Sequence, residues 1–289
     1  MILMNNLKAF IILTALIISF SITAGCTTDT GIPITEDFNS SQNEYPAVSF
    51  NDTPVEYVQV DNVTLGYREF GSGEPLLMLQ GFTGTINDWN ETFIGILASE
   101  YHVYTYDHRD MGYSSESNGT TSIPMYADDA AQFMQAVGYD SMNVYGVSMG
   151  SSISQQLTIA HPDSVRKVIL DSNSYSVRIP ETQSLLDSIE DVVADPSMPE
   201  GIRKEAEANL IWNGSWDGLS SIDKDVMLVV GTADDTTPDS ISVKMAGEIN
   251  GSWLIRFKGL PHAGSSYAPV QYGENALFFL DTDESPLES

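Results

Sequence analysis

Short apolar runs alternate with amphipathic stretches along most of this chain. Eight runs have the composition of β-strands, at residues 55–60, 63–70, 75–80, 101–106, 142–147, 165–170, 226–230 and 253–257. The run at residues 75–80 contains Leu76, Leu77, Met78 and Leu79 in succession, which is typical of a strand buried on both faces. Stretches between the runs predict helices at residues 88–99, 124–137, 149–160, 239–249 and 267–280. The alternation predicts an α/β domain over residues 55–281, with a mostly parallel eight-stranded sheet flanked by helices.

Residues 173–221 interrupt this alternation. The segment is helix-prone at residues 181–194 and 199–212, and it lies between two predicted strands of the sheet. An insertion that leaves the sheet where its strands end covers that edge, so we predict a small helical lid. Two tryptophans of the lid, Trp212 and Trp216, are candidates for an apolar substrate pocket. They would equally well pack the lid onto the body, and we favour that interpretation.

The two ends of the chain differ in composition from the domain. Residues 1–25 contain Lys8, an apolar run and then small residues, which is the pattern of a secretory signal peptide. Cys26, the only cysteine, follows Ala24-Gly25 and resembles the lipidated cysteine of prokaryotic lipoproteins. The alternative is an uncleaved signal anchor; in both cases the body faces outward. Residues 26–54 predict a flexible, lipid-anchored linker, and residues 282–289 an acidic tail.

Charge excludes some functions for the domain. The chain has 12 Lys+Arg against 40 Asp+Glu, a formal net charge of −28. Such a chain repels polyanions, so we expect no nucleic-acid partner. The acidic residues show no spacing typical of a metal site, and we expect no metal or organic cofactor. Export is also favoured by seven Asn-x-Ser/Thr sites, at Asn39, Asn51, Asn62, Asn90, Asn118, Asn213 and Asn250.

The segment Gly146-Val147-Ser148-Met149-Gly150 lies between a predicted strand and a predicted helix. On such a sharp turn a serine exposes its hydroxyl, and the following backbone N–H is free to bind an oxyanion. The glycines fit because a Cβ at either position would meet neighbouring elements. We therefore predict that Ser148 is a nucleophile.

A serine hydroxyl needs an adjacent base, and the chain offers four histidines. His102 begins a predicted strand and is therefore at the wrong end of the sheet, while His161 ends the helix that leads away from Ser148. His108 is nearer, but its flanking residues indicate a structural loop. His262 follows the last predicted strand, at the same edge of the sheet as Ser148, and we predict that it is the base.

The base needs a carboxylate that fixes its tautomer and stabilises the imidazolium. Asp234 follows the strand at residues 226–230, so we expect it at the same edge of the sheet as His262. Its neighbour Asp235 is a competitor, and Asp171, at the end of the preceding strand, is a more distant one. All three alternatives remain open on position alone.

Further motifs resemble the α/β-hydrolase superfamily over residues 55–280. The spacing Gly231-x-x-Asp234-x-x-x-Pro238 resembles that superfamily's acid motif and favours Asp234, and Gly259-x-x-His262 resembles its base motif. The segment at residues 107–114 resembles its architectural Asp-x-Arg-Gly-x-Gly-x-Ser loop. The order of nucleophile, acid and base is also the one that this superfamily uses.

The resemblance implies an oxyanion hole as well. Gln80-Gly81-Phe82 stands where the superfamily usually has His-Gly-Phe, so the backbone N–H groups of Phe82 and Met149 are the expected donors. Three positions depart from the usual pattern: Gln80 replaces a histidine, Asp110 a glycine, and Val147 a common histidine. None of them removes a triad residue or a backbone donor.

The resemblance implies a serine hydrolase that cleaves carboxylic esters or related acyl compounds, and the signal-like N-terminus predicts that it is exported. C–C bond hydrolases, lactonases and cofactor-free perhydrolases share the same triad, so they remain alternatives. Haloalkane dehalogenases of this superfamily have aspartate where this chain has Ser148, which disfavours that chemistry. A catalytically silent surface binding protein is a further alternative, but it predicts a lost triad residue, and none is missing.

Overall fold

The computed structural model describes residues 45–283. Its centre is one sheet of eight strands in the order β1-β2-β4-β3-β5-β6-β7-β8. The pairs β1–β2 and β2–β4 are antiparallel and every other pair is parallel, which confirms the predicted fold class. The strands are β1 (Glu56–Val60), β2 (Val63–Phe70), β3 (Glu74–Leu79), β4 (Tyr101–Tyr106), β5 (Met142–Val147), β6 (Val165–Asp171), β7 (Asp225–Gly231) and β8 (Trp253–Phe257).

Helices cover both faces of the sheet, so the consecutive apolar residues of a central strand are all buried. In β3, Leu77 and Leu79 point to one core, while Leu76 and Met78 point to the other. The first core is closed by α2 (Ile123–Ala136), α3 (Met149–Ala160) and α7 (Asp239–Glu248), and the second by α1 (Glu91–Ala98) and α8 (Pro269–Asp281). This two-sided burial explains why the strand had no alternation of polar and apolar residues.

The segment between β6 and β7 forms the lid. It contains α4 (Gln183–Ala194), α5 (Glu200–Ile211) and α6 (Trp216–Leu219). A small apolar cluster of its own, with Val177, Ile189 and Ala206 at its centre, joins α4 and α5. Trp212 leaves the lid and packs into the main core, where its indole nitrogen donates to Gln156 Oε1 at 3.2 Å.

The packed body begins before residue 55, so the structure differs from the linker predicted for residues 26–54. Phe50 is buried, its ring lies 5.7 Å from that of Phe70, and its backbone N–H donates to Glu91 at 2.8 Å. The apolar positions of this segment show no helical or strand periodicity, so the sequence did not indicate that Phe50 is packed. The predicted signal peptide at 1–25, Cys26, the linker up to residue 44 and the tail beyond residue 283 lie outside the described residues. Within 45–283, no helix is both long and apolar enough to cross a membrane.

Candidate active site

Ser148 occupies the turn between β5 and α3. Its backbone has φ 54° and ψ −117°, a conformation that residues other than glycine rarely adopt. Neighbouring backbone crowds this turn. A Cβ on Gly150 would overlap the carbonyl oxygen of Leu79, and one on Gly146 would overlap that of Gly150. The two glycines therefore allow the strand and the helix to meet at an angle that leaves the serine at the sheet edge.

His262 lies directly beside the serine, in the loop after β8. Its Nε2 is 2.9 Å from Ser148 Oγ, and its Nδ1 is 2.8 Å from Asp234 Oδ2. Because β5, β7 and β8 are parallel, the loops after them come together at one edge of the sheet. The structure thus brings the three predicted residues into one hydrogen-bonded chain, in the geometry that general-base activation of a serine requires.

Asp234 is a buried carboxylate with several donors. The backbone N–H groups of Thr236 and Thr237 donate to its Oδ1 at 3.0 and 2.8 Å. Burial by itself raises the pKa of this carboxyl, but the hydrogen bond and charge of His262, together with the Thr237 donors, outweigh it and lower the pKa below its ordinary value. Asp234 is therefore held as an anion beside the imidazole, whereas Asp235 is exposed.

Asp171, the more distant competitor, is buried behind the site and has no hydrogen bond to His262. Its carboxylate accepts from Tyr145 and Ser265 at 2.8 and 2.9 Å, and from Ser172 at 3.1 Å. Burial raises its pKa to about 6. The two carboxylates thus differ in their contacts: Asp234 contacts His262, whereas Asp171 accepts hydrogen bonds from Tyr145, Ser172 and Ser265.

The predicted oxyanion donors flank the serine. A Cβ on Gly81 would lie 3.1 Å from Ser148 Cβ, so the chain at Gly81-Phe82 runs against the nucleophile. Gln80, which departs from the usual histidine, accepts a hydrogen bond from the Gly81 N–H at 2.8 Å and so fixes this loop. Within residues 45–283, the N–H groups of Phe82 and Met149 have no protein acceptor. Both donors are therefore available to a ligand at Ser148.

A narrow pocket opens at Ser148 beneath the lid. Its free volume is about 20 Å³, which is room for one water-sized group. The lid tryptophans, Trp212 and Trp216, do not line it: Trp212 is in the core, and the Trp216 ring packs 4.6 Å from Tyr175. The pocket is lined instead by Phe82, Ser148, Met149, Ser152, Ser174, Val177, Leu185, Ile189, Asn209 and Thr237.

The other three histidines have partners other than Ser148. His102 is at the opposite end of the sheet and pairs with Glu69 at 3.0 Å, and His161 pairs with Asp128 at 2.7 Å. His108 is buried, and its Nδ1 lies 3.0 Å from Glu205 of the lid helix α5. The role of Glu205 was missed in the sequence, because no local pattern distinguishes it from the surface acids. Over residues 45–283, no three His, Cys, Asp or Glu side chains are grouped as a metal site would require.

Comparison with known proteins gives the same fold. The alpha/beta hydrolase fold family matches residues 74–215. Among curated relatives, the chain is 32% identical over 113 residues to a fluoroacetate dehalogenase of a Burkholderia species, covering 37% of each chain. It is 31% identical over 116 residues to the rhodomycin D methylesterase DauP of a Streptomyces species, covering 38% of this chain and 39% of the relative. The match thus spans about two-fifths of the length of these relatives.

Solved structures match over most of the domain. A thermophilic esterase from Thermogutta terrifontis superposes with a TM-score of 0.71 at 19% identity, over 78% of this chain and 98% of the esterase. At this level of identity the likeness shows the fold alone. The strand order and the turn at Ser148 agree with this likeness, so the chain has the α/β-hydrolase fold and is similar to the alpha/beta hydrolase fold family over residues 74–215.

Proposed function

We propose that this protein is a serine hydrolase that cleaves carboxylic esters or related acyl compounds. The observation that carries the proposal is the continuous chain from Ser148 Oγ to His262 Nε2, at 2.9 Å, and from His262 Nδ1 to Asp234 Oδ2, at 2.8 Å. Holding three side chains from separate loops in this arrangement costs conformational entropy. A catalytically silent binding protein has no use for the arrangement.

In the proposed reaction, Ser148 Oγ attacks the acyl carbonyl carbon while His262 Nε2 takes the hydroxyl proton. The negative charge that develops on the carbonyl oxygen is bound by the N–H groups of Phe82 and Met149. His262 then gives the proton to the leaving alcohol, and an acyl-serine ester remains. A water molecule, deprotonated by the same imidazole, attacks that ester and releases the acid, while the proton returns to Ser148.

The pocket beside Ser148 is narrow, with a free volume of about 20 Å³, so an ester with a short acyl chain such as acetate is the first probe. The walls are mainly apolar where the lid closes them, at Val177, Leu185 and Ile189. Ser148 stands where the dehalogenases of the superfamily have aspartate, so the proposal for this chain stays with acyl transfer.

The direct test is replacement of the nucleophile. For Ser148→Ala in the full-length protein we expect hydrolysis of p-nitrophenyl acetate to fall by at least about 10³-fold, because the covalent route is lost. Ser141→Ala is a matched control, since Ser141 precedes β5 and so lies at the opposite end of the same strand. Equal turnover by Ser148→Ala and the wild type would refute the proposal.

We extend the proposal to export and lipid anchoring, which rest on the sequence of residues 1–26. The signal-like run, the small residues and Cys26 support a body tethered to the outer face of the cytoplasmic membrane. Labelled palmitate supplied to expressing cells should appear in the protein and be lost in Cys26→Ser. Equal label in the two proteins would contradict the anchor and leave the proposed hydrolase activity untouched.

A further inference from the structure

Helix α5 of the lid carries two polar residues one turn apart, Glu205 and Asn209, that face the protein interior. Their exposed fractions are 0% and 4%. Polar groups buried so completely require partners, and a carboxylate requires them most. One partner of each residue belongs to the region of the proposed oxyanion hole: Thr83 for Glu205, and Met149 for Asn209.

Glu205 holds the loop that carries the first proposed donor. Its Oε2 accepts a hydrogen bond from the backbone N–H of Thr83 at 2.8 Å, and its Oε1 lies 3.0 Å from His108 Nδ1. Thr83 follows Phe82 directly and has a φ of 67°, a left-handed conformation that is unfavourable for a β-branched residue. The hydrogen bond to Glu205 therefore supports a strained backbone at the peptide next to the Phe82 N–H.

Asn209 contacts the residue that carries the second donor. Its Nδ2 lies 3.0 Å from Met149 Sδ and also donates to the Glu205 carbonyl oxygen at 2.9 Å. The same side chain lines the pocket at Ser148. One face of α5 thus contacts the loop of the first donor through Glu205 and the residue of the second donor through Asn209.

The neighbouring residue Lys204 also docks α5 on the body, but it does not contact the Phe82-Thr83 loop. Lys204 Nζ donates to Asp110 Oδ1 at 2.8 Å and to the Ser117 carbonyl oxygen at 2.7 Å. The Lys204 carbonyl oxygen accepts from Thr121 Oγ1 at 2.9 Å. Asp110 stands where the superfamily usually has glycine, and its carboxylate binds Lys204 of the lid. The two attachments use different side chains and different acceptors, so each can be removed by its own substitution.

We infer that Glu205 is a positioning residue of the oxyanion hole: by holding the Phe82-Thr83 loop to α5, it couples lid docking to the alignment of the Phe82 N–H. The inference rests on the proposed function, because it assumes that an oxyanion forms at Ser148. Backbone donors stabilise such a charge only while they are held in place, and a displacement of about 1 Å weakens them strongly. A lid that moved away would take the Glu205 carboxylate with it and release the loop.

The test compares Glu205→Leu with Glu205→Gln in the full-length protein. Leucine has a similar volume but accepts no hydrogen bond, whereas glutamine can still accept from Thr83 while its amide faces His108. For Glu205→Leu we expect kcat/KM for p-nitrophenyl acetate to fall by about 10- to 100-fold. Glu205→Gln should retain activity to within about threefold, since rescue needs only the acceptor.

The second readout is inhibition by a trifluoromethyl ketone, which forms a tetrahedral oxyanion on the serine, and by the matched methyl ketone, which does not. Glu205→Leu should weaken the trifluoromethyl ketone in proportion to kcat/KM and leave the methyl ketone within about threefold. Lys204→Met, which loosens the other attachment of α5, should change the affinities for both ketones equally. A Glu205→Leu variant that also weakens both equally has lost only lid packing, and that result would overturn the inference.

The outcomes also separate this inference from the proposed function. If the wild type hydrolyses the ester and Glu205→Leu matches it in kcat/KM and in affinity for the trifluoromethyl ketone, the positioning role is wrong and the hydrolase stands. If the wild type neither turns over the ester nor forms the ketone adduct, the proposed function itself fails. Thermal unfolding of each variant shows whether the substituted proteins are folded when they are assayed.

Discussion

The assignment of Asp234 as the triad acid leads to a sharp prediction for Asp234→Asn, with Asp171→Asn as its matched control. Both carboxylates are buried, at 5% and 0% exposed, and both lie at the ends of neighbouring parallel strands. Only Asp234 contacts His262. Both substitutions replace one carboxylate oxygen by an amide nitrogen. A difference in activity between the two variants therefore reports the contact with His262 and not merely the loss of a buried charge.

The surroundings of Asp234 decide how an asparagine would sit there. The N–H groups of Thr236 and Thr237 donate to Oδ1, so the amide oxygen of asparagine must take that place. Its NH₂ group would then face His262 Nδ1 and require that nitrogen to accept. The proton of the neutral imidazole would move to Nε2, which could no longer take the proton of Ser148. We expect kcat to fall by about 10⁴-fold, or about 5 kcal/mol.

Asp171 has a different set of donors. Tyr145, Ser265 and Ser172 all donate through hydroxyl groups, which can rotate and accept from an amide instead. Asparagine should therefore fit, and the tautomer of His262 should not change. We expect less than about a tenfold loss of kcat from Asp171→Asn.

The assay is steady-state hydrolysis of p-nitrophenyl acetate by each variant, with far-ultraviolet circular dichroism to confirm folding. A further check is the burst of p-nitrophenol, which reports acylation directly and should be absent in Asp234→Asn. Equal losses in the two variants, or a larger loss in Asp171→Asn, would show that the assignment of Asp234 is wrong.

The remaining predictions concern stability, measured by urea unfolding. Gly150→Ala, whose Cβ would overlap the Leu79 carbonyl, should lower the free energy of unfolding by about 3 kcal/mol or more, whereas Gly247→Ala, with open space at an exposed helix position, should raise it by about 0.5–1 kcal/mol. Similar effects of the two would contradict the crowding at the nucleophile turn. Burial raises the pKa of Asp171 to about 6, so its contribution to stability is complete below pH 4 and is lost, by about 3 kcal/mol, as the pH rises through 6. Asp171→Asn should flatten that part of the curve relative to the wild type, and an unchanged slope would refute the titration. Phe50→Ala should cost about 3 kcal/mol if residues 45–54 belong to the packed body, while a cost near zero would return them to the linker.

The sequence was sufficient for those features that depend on local pattern. Continuous apolar runs predicted the central strands, and the glycines around Ser148 predicted its turn, because both follow from steric and burial requirements within a few residues. The candidate base and the candidate acid could be located because the loops that follow parallel strands lie at one edge of the sheet. His262 and Asp234 each follow such a strand.

Long-range packing could not be predicted in the same way. Glu205 and Thr83 are 122 positions apart, and nothing in the lid distinguishes this buried acid from its exposed neighbours. Trp212 and Trp216 left a pocket role open beside the favoured packing role, because large apolar residues serve a core and a pocket equally well. The packing of Phe50 against Phe70 could not be predicted either, because the sequence near Phe50 does not show which residues it contacts. In each case the outcome depends on which surfaces meet, and that information is spread over the whole chain.

Mass spectrometry after reaction of the full-length protein with a fluorophosphonate shows whether Ser148 is an activated nucleophile. We expect one phosphonyl adduct per chain, on the peptide that contains Ser148. In His262→Ala the labelling rate should be at least about 10³-fold lower, because the general base is missing. An unlabelled wild-type protein, or an adduct that forms on another serine at the same rate in both proteins, would contradict the account.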